Sequence, residues 1–435
     1  MAINKNSVKS GPYYGWIIVF AMFFINIAVH ASANFTFAVF LKPMSEDLSV
    51  SREAVSWLHT SRMISGGVSA VVIGKLIDRY GSRWMLPLAA IIVAVAMVLL
   101  NWTDNYWQIL FLFIVIGIAG LAGPGSLMTS VPVSKWFYKK RGKATAIATA
   151  GLGVGGILFA PLHQVLINSH GWRGAWLISA ILLVLVVVPI GLIFIRRTPE
   201  DQGLLPDGET SDQVLSKENQ PLPQNQKTSP DSEDNWKTKE ALRTSAMWKV
   251  LFAYSILALA MGGFIVHRFS FWSDRGIDSN VIAWSYSLDA LVFACAILAA
   301  GFLVDRFPVR IVGAIAAGFQ ILGVLLTIFL DSVLGLYVGA MTLGLGAGTN
   351  MVVQIHIWPS YFGRKYIGTI RGIVVPATLV GMGLGPPLVG ATFDGFGSYL
   401  PAFWASILLA FFSILLLISA TPPKRQPLDK AFSRK

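Results

Sequence analysis

Three charged side chains and one histidine stand inside stretches of sequence that are otherwise apolar: Arg62, His267, Arg268 and Asp289. An ionised group at the centre of a lipid bilayer costs roughly 2.5–3.5 kcal/mol by insertion scales, so each needs a partner, a hydrated cavity or a ligand. A guanidinium is the natural clamp for a carboxylate, because its planar fork donates two parallel hydrogen bonds. An aspartate beside it supplies charge balance or a proton site, and an imidazole titrates near neutral pH. Arg62 lies sixteen residues before Asp78 and Asp289 sixteen before Asp305. The expected chemistry is anion binding by Arg62 or Arg268 with Asp289 as counter-charge or proton carrier. The competing expectation is a structural Arg62–Asp289 pair that packs helices together. For the adjacent pair, the alternatives are proton gating or coupling by His267, or an Arg268 that snorkels to the interface with His267 as a packed donor.

Polar amides recur at helical spacing. Asn26, His30 and Asn34 fall at i, i+4, i+8, and Asn350 and Gln354 at i, i+4, so each set forms one stripe on a helix. Asn34, Asn350 and Gln354 are candidate substrate contacts, whereas Asn26 is equally suited to bonding a neighbouring helix. The run Gly151-Leu-Gly-Val-Gly155-Gly156 follows no strand and is not a nucleotide fingerprint; small residues spaced this way, and again at Gly381, Gly383 and Gly385, allow close helix crossing. No Gly-x-x-x-x-Gly-Lys-Ser/Thr loop is present, which leaves ATP-driven transport without support. One cysteine, Cys295, excludes disulfide frameworks and Cys-based metal clusters, and the six histidines are spread over separate segments. No metal, cofactor or enzymatic activity is expected.

The segments that position these residues follow from composition. Of 435 residues, 54% are hydrophobic and 13% charged, against about 25% charged in a soluble domain. A membrane-spanning helix needs roughly 20 mostly apolar residues. Twelve such runs lie near 14–40, 54–76, 84–101, 106–134, 143–168, 174–195, 247–272, 281–304, 310–330, 333–358, 367–393 and 399–420, called spans 1 to 12 below. With both termini on one side, that side holds 28 of the 34 Lys and Arg residues, while Lys42, Arg52, Arg173, Arg268 and Arg275 fall on the other. The bias puts both termini in the cytoplasm and turns the net charge of +12 into topological information rather than a nucleic-acid footprint.

Residues 197–245 are rich in Pro, Gln, Ser, Asp and Glu and cannot bury enough apolar surface to fold alone. They read as a cytoplasmic linker between a six-helix bundle over 1–196 and a second over 246–421, with a cytoplasmic tail at 422–435. The halves repeat: Gly74-Lys-Leu-Ile-Asp78-Arg79-Tyr-Gly-Ser-Arg83 recurs as Gly301-Phe-Leu-Val-Asp305-Arg306-Phe-Pro-Val-Arg310. Pro132 answers Pro359, Pro161 answers Pro387 and Gly171 answers Gly397. Duplicated hydrophobic halves mark secondary transporters, with a substrate site near the midplane between repeats.

The ten-residue loop at 74–83 resembles the signature of the major facilitator superfamily. More narrowly, the chain is similar to the bacterial monocarboxylate and oxalate/formate antiporter-like branch. The segments that carry the likeness are Tyr13-Tyr-Gly-Trp-Ile-Ile-Val19, Val39-Phe-Leu-Lys-Pro-Met-Ser45, Lys135-Trp-Phe-Tyr-Lys-Lys-Arg-Gly142, Gly171-Trp-Arg173, Thr198-Pro-Glu-Asp-Gln-Gly-Leu-Leu-Pro-Asp-Gly208 and Glu240-Ala-Leu-Arg-Thr244. The resemblance implies an all-α integral membrane fold of twelve transmembrane helices in two six-helix repeats, a cavity lined by spans 1, 4, 7 and 10, and alternating access. It implies transport of a small organic anion, with a monocarboxylate expected, by proton symport or anion exchange, in a monomer of the inner or plasma membrane. Members that carry small carboxylates usually have an arginine eight residues before the second motif aspartate; that position is Ile297 here, on one face with Asp289. An efflux carrier for an amphipathic solute is the alternative, and a transport-inactive sensor a more distant one. Asp78, Arg79, Asp305 and Arg306 are expected to act as conformational latches at cytoplasmic helix ends.

Overall fold

The computed structural model describes residues 13–32, 36–121, 127–137, 140–196, 236–363 and 366–423, with isolated residues between 198 and 207. All regular structure among them is helical, and it resolves into the expected spans. Span 2 is Arg52–Tyr80, started by Ser51 Oγ accepting from Ala54 N at 3.1 Å, and span 3 is Ser82–Leu99. Spans 5 and 6 run through Arg141–Phe194 and turn at Gly171, whose φ of 68° and ψ of 174° suit a residue without Cβ. The second half comprises Ser245–Asp274, Ser279–Arg306, Val309–Phe329, Val333–Phe362, Ile367–Phe396 and Leu400–Ser419 as spans 7 to 12. Thr244, Asp278 and Ser332 cap three of these helices through side-chain oxygens, the preferred chemistry for orphan N–H groups. The short helix Thr238–Ala241 leads into span 7.

Two spans depart from the continuous helices expected. Span 1 runs Tyr14–Val29, tightens into a 3-10 turn at His30–Ser32 and continues at Ala38–Asp47; Asn34 lies outside the described residues. Breaking the ladder there frees the Ser32 carbonyl, which accepts from Arg62 Nη1 at 2.6 Å. Span 4 divides into Tyr106–Ile118 and Leu127–Trp136, with Gly120 at φ 66° after the first part.

Large aromatic side chains such as Trp136, Trp176, Trp272 and Phe264 fill the interior, whereas Phe20, Phe24, Val68, Leu298 and Phe302 are exposed. An apolar surface of this extent is stable when hydrocarbon is the solvent, and helices satisfy their own backbone groups there. Spans 2 and 11 pack across the boundary between the halves, as do spans 5 and 8, where Gly153 and Gly156 meet Ala294 and Ala290. Within the second half, a Cβ on Gly262 would come within 2.5 Å of Met382 O, and one on Gly385 within 2.5 Å of Gly263 N. Spans 7 and 11 therefore touch backbone to backbone. The glycine runs serve packing.

Overpacking a tight contact costs about 1–3 kcal/mol. Gly385→Leu should therefore lower the melting temperature in detergent by several degrees. Gly372→Ala, at a position where an added methyl would meet no atom within 4 Å, should leave it unchanged or slightly higher. Equal effects of the two substitutions would contradict the packing described.

Candidate functional site

The buried charge of the second half is one ion pair. Arg268 Nη2 on span 7 lies 2.9 Å from Asp289 Oδ2 on span 8, with side-chain exposures of 2% and 19%. The guanidinium carbon stands 4.2 Å from the centre of the Tyr286 ring, and the Tyr286 hydroxyl donates to Ile265 O at 2.8 Å. Span 10 makes room for the aspartate: a Cβ at Gly344 would lie 2.9 Å from Asp289 Oδ1, and Gly348 packs on Phe293 one turn further. Arg268 Nε and Nη1 are buried with no hydrogen-bond acceptor among the described residues. Asp289 thus pairs with Arg268 and not with Arg62, and Arg268 does not snorkel.

Arg62 belongs to a separate cluster in the first half. Its Nη2 lies 3.1 Å from His59 Nδ1; because arginine only donates, this nitrogen accepts and the neutral ring carries its proton on Nε2. Phe37 stacks on His59 at 5.0 Å, and Phe113 lies 6.0 Å from the Arg62 carbon. Beside it, Thr36 Oγ1 meets His163 Nδ1 at 2.9 Å, with Phe40 and Phe159 against the ring. Sequence reading missed His59 and His163. The first stands three residues before Arg62, a helical neighbour spacing; the second has no local signal, since Thr36 is 127 positions away.

A third set of bonds seals the halves together at the face away from the linker. Arg52 at the start of span 2 donates to both Asp274 oxygens at 2.5 and 3.0 Å and also to the Tyr399 hydroxyl. Lys42 reaches Asp274 at 3.0 Å. The backbone amides of Arg52 and Glu53 donate to the Asp394 carboxylate at 3.2 and 2.9 Å, so an acid from span 11 caps span 2, where the helix dipole favours negative charge. Fully buried His267 sits beneath: Nε2 lies 2.9 Å from Pro386 O and 3.0 Å from Ser56 Oγ, and Nδ1 lies 3.3 Å from the Tyr399 hydroxyl. Pro386 O can only accept, so Nε2 carries the hydrogen. Asn168 and Asn280 bond at 3.1 Å across spans 5 and 8.

The remaining expected residues are dispersed. Asn26 donates to Ala148 O on span 5 at 2.8 Å, and His30 is buried against Gly155. Asn350 is buried, and its amide has no partner among the described residues. One turn earlier Gly346 packs on Ala316 and Gln320 of span 9, which turns Asn350 towards span 9 rather than towards Asp289. Gln354 is half-buried. Arg79, Asp305 and Arg306 are exposed at the linker end, where no hydrogen bond joins the halves among the described residues; of Asp78 only the helical backbone is described.

Twelve helices in two related halves, with charged groups enclosed between apolar walls, define a polytopic transporter fold. The family model described as Major Facilitator Superfamily matches residues 22–276 and 269–434, and the chain belongs to that superfamily. It is similar to Monocarboxylate transporter 13 of Bos taurus, 26% identical over 90% of this chain and 85% of the relative. It is also similar to Monocarboxylate transporter 2 of Homo sapiens, 25% identical over 89% and 81%. Among solved structures, a point mutant of the nucleoside transporter NupG aligns with a TM-score of 0.70 at 12% identity over 94% of this chain and 98% of that one. A bacterial homolog of the human lysosomal transporter Spinster, inward-facing and unoccupied, aligns at 0.66 with 16% identity over 94% and 96%. Both likenesses concern the fold.

The seal is testable on a Cys295→Ser background with cysteines replacing Asn168 and Asn280 and a protease site placed within residues 208–235. Oxidation should hold the two cleaved halves together on a non-reducing gel. An exposed ion pair is worth up to about 1 kcal/mol, about fivefold in a two-state equilibrium constant, so adding Arg52→Gln should lower the ratio of cross-linked to free halves by up to about that factor. An unchanged ratio would contradict a sealing role for Arg52.

Proposed function

We propose that the protein is a secondary active transporter that moves a small organic anion, a monocarboxylate foremost, by alternating access with proton symport. The observation that carries this reading is Arg268, a buried guanidinium with one nitrogen on Asp289 and two lacking an acceptor among the described residues. Such a group favours an anion that supplies the missing acceptors, because an unsatisfied buried donor costs about 1–3 kcal/mol and more when charged. Asp289, partly open to solvent, is the proton site: when protonated it releases Arg268 to the carboxylate, and when ionised it reclaims the arginine and favours substrate release. The monocarboxylate transporters similar to this chain support the same cargo class.

On this reading residues 1–196 and 246–421 are the two moving bundles, 197–245 the cytoplasmic linker and 422–435 the tail. The bonds of Arg52, Lys42, Asp394 and His267 close the external face, and the cytoplasmic latches Asp78, Arg79, Asp305 and Arg306 engage in the opposite state of the cycle. His267 positions the seam, and Arg62 orders the first half around the break in span 1. Gln354 is kept as a substrate contact and Asn34 as a secondary one, whereas Asn350, turned towards span 9, is set aside from the anion site.

Proteoliposomes supplied with labelled lactate, pyruvate, formate or oxalate, with and without an inside-alkaline pH gradient, test the proposal. Uptake of a monocarboxylate should rise with the gradient. Arg268→Gln should reduce it by at least about tenfold, the scale of one lost charged hydrogen bond, and Asp289→Asn should abolish the response to the gradient. Uptake of none of the four anions, or full uptake by Arg268→Gln, would overturn the reading.

A further inference from the structure

On the outer flank of the first half, spans 2, 3 and 4 enclose a groove of about 1010 Å³, remote from Arg268 and Asp289. Its walls are apolar side chains, among them Val68, Val72, Leu88 and Ile118, all at least half exposed. The serines along it are turned inward: Ser61 Oγ donates to Leu58 O at 2.8 Å and Ser65 Oγ to Ile114 O at 3.1 Å. The groove exists because span 3 leaves span 2 through the one-residue turn at Gly81, φ 79°, and packs instead on span 6, with Pro87 against Gly191. From Trp57 to Leu76 the wall extends nineteen residues, about 28 Å at 1.5 Å each, which matches the hydrocarbon depth of a bilayer of about 30 Å. Trp57, Tyr106 and Trp107 line the end away from the linker, as aromatic residues do at a membrane interface.

The opposite end is basic. Lys75 and Arg79 are exposed one residue before and three after Leu76, and half-buried Arg83 stands two before Met85. Arg83 Nε is buried without a hydrogen-bond partner among the described residues. Cations at the mouth of an apolar trough between transmembrane helices fit an anionic lipid headgroup with its chains laid along the trough. An amphipathic cargo would not need the basic mouth. We propose that this groove holds one anionic phospholipid from the leaflet on the linker side, its phosphate on Lys75 and Arg83 and its acyl chains between spans 2 and 3.

The test uses the purified full-length protein in detergent, titrated with phosphatidylglycerol or phosphatidylcholine bearing identical acyl chains, with bound lipid counted by native mass spectrometry. Phosphatidylglycerol should bind at least about fivefold more tightly, the effect of one basic residue near a membrane surface. Lys75→Gln with Arg83→Gln should bring it down to the affinity of phosphatidylcholine, and Lys75→Gln alone, a surface change that leaves the fold intact, should give an intermediate value. Val68→Trp, at an exposed position in the groove, should weaken both lipids alike. Equal binding of the two lipids by the unmodified protein, selectivity that survives the double substitution, or binding untouched by Val68→Trp would overturn the proposal.

Discussion

The contact between Arg268 and Asp289 governs how the second half is built. Two charges taken out of water need each other, since removing one partner of a buried pair typically costs about 3–5 kcal/mol. Spans 7, 8 and 10 are arranged to meet that need: Tyr286 offers its ring face to the guanidinium, and glycines on span 10 let span 8 approach closely enough to seat the carboxylate. The pair is left unequal, however. The arginine is enclosed with spare donors while the aspartate keeps part of its surface open, and a proton or an anion can act on such an asymmetric pair more readily than on a fully satisfied one.

Among the described residues, the first half meets the same problem with dipoles: Arg62 donates to a backbone carbonyl released where span 1 breaks and to a neutral histidine. The two halves, related by sequence repeat, have therefore diverged in how they accommodate a buried arginine. Between them, the contacts that hold one face shut are polar and replaceable. A carboxylate capping a helix start, an exposed ion pair and an imidazole against a carbonyl are each weak enough to break and re-form, in keeping with the alternation proposed.

Much of this was legible in the sequence. Hydrophobic runs, the basic bias and the repeated Asp78 and Asp305 motifs specify a twelve-helix duplicated fold, because lipid imposes length and composition directly. The ten-residue motif at 74–83 pointed to the superfamily that the family model then matched. The partners of the buried charges were not legible. Arg268 and Asp289 are 21 positions apart and sit on different helices, and no periodicity distinguishes that pairing from one between Asp289 and Arg62. Asn350 illustrates the same limit: its spacing with Gln354 suggested one hydrated stripe, whereas the glycines of span 10 decide which side meets span 8 and which meets span 9. The break in span 1 has no proline at its start to announce it, and Asp394 capping span 2 joins residues more than 340 positions apart.

The central claim, that the spare donors of Arg268 receive the transported anion, is tested most directly by ligand-induced stabilisation. A ligand that binds only the folded state stabilises it by about 2.7 kcal/mol at a hundred times its dissociation constant, so lactate should raise the melting temperature of the purified protein. The rise should be larger in Asp289→Asn, where the arginine has lost its competing partner, and absent in Arg268→Gln. A rise in Arg268→Gln equal to that of the unmodified protein would contradict the account.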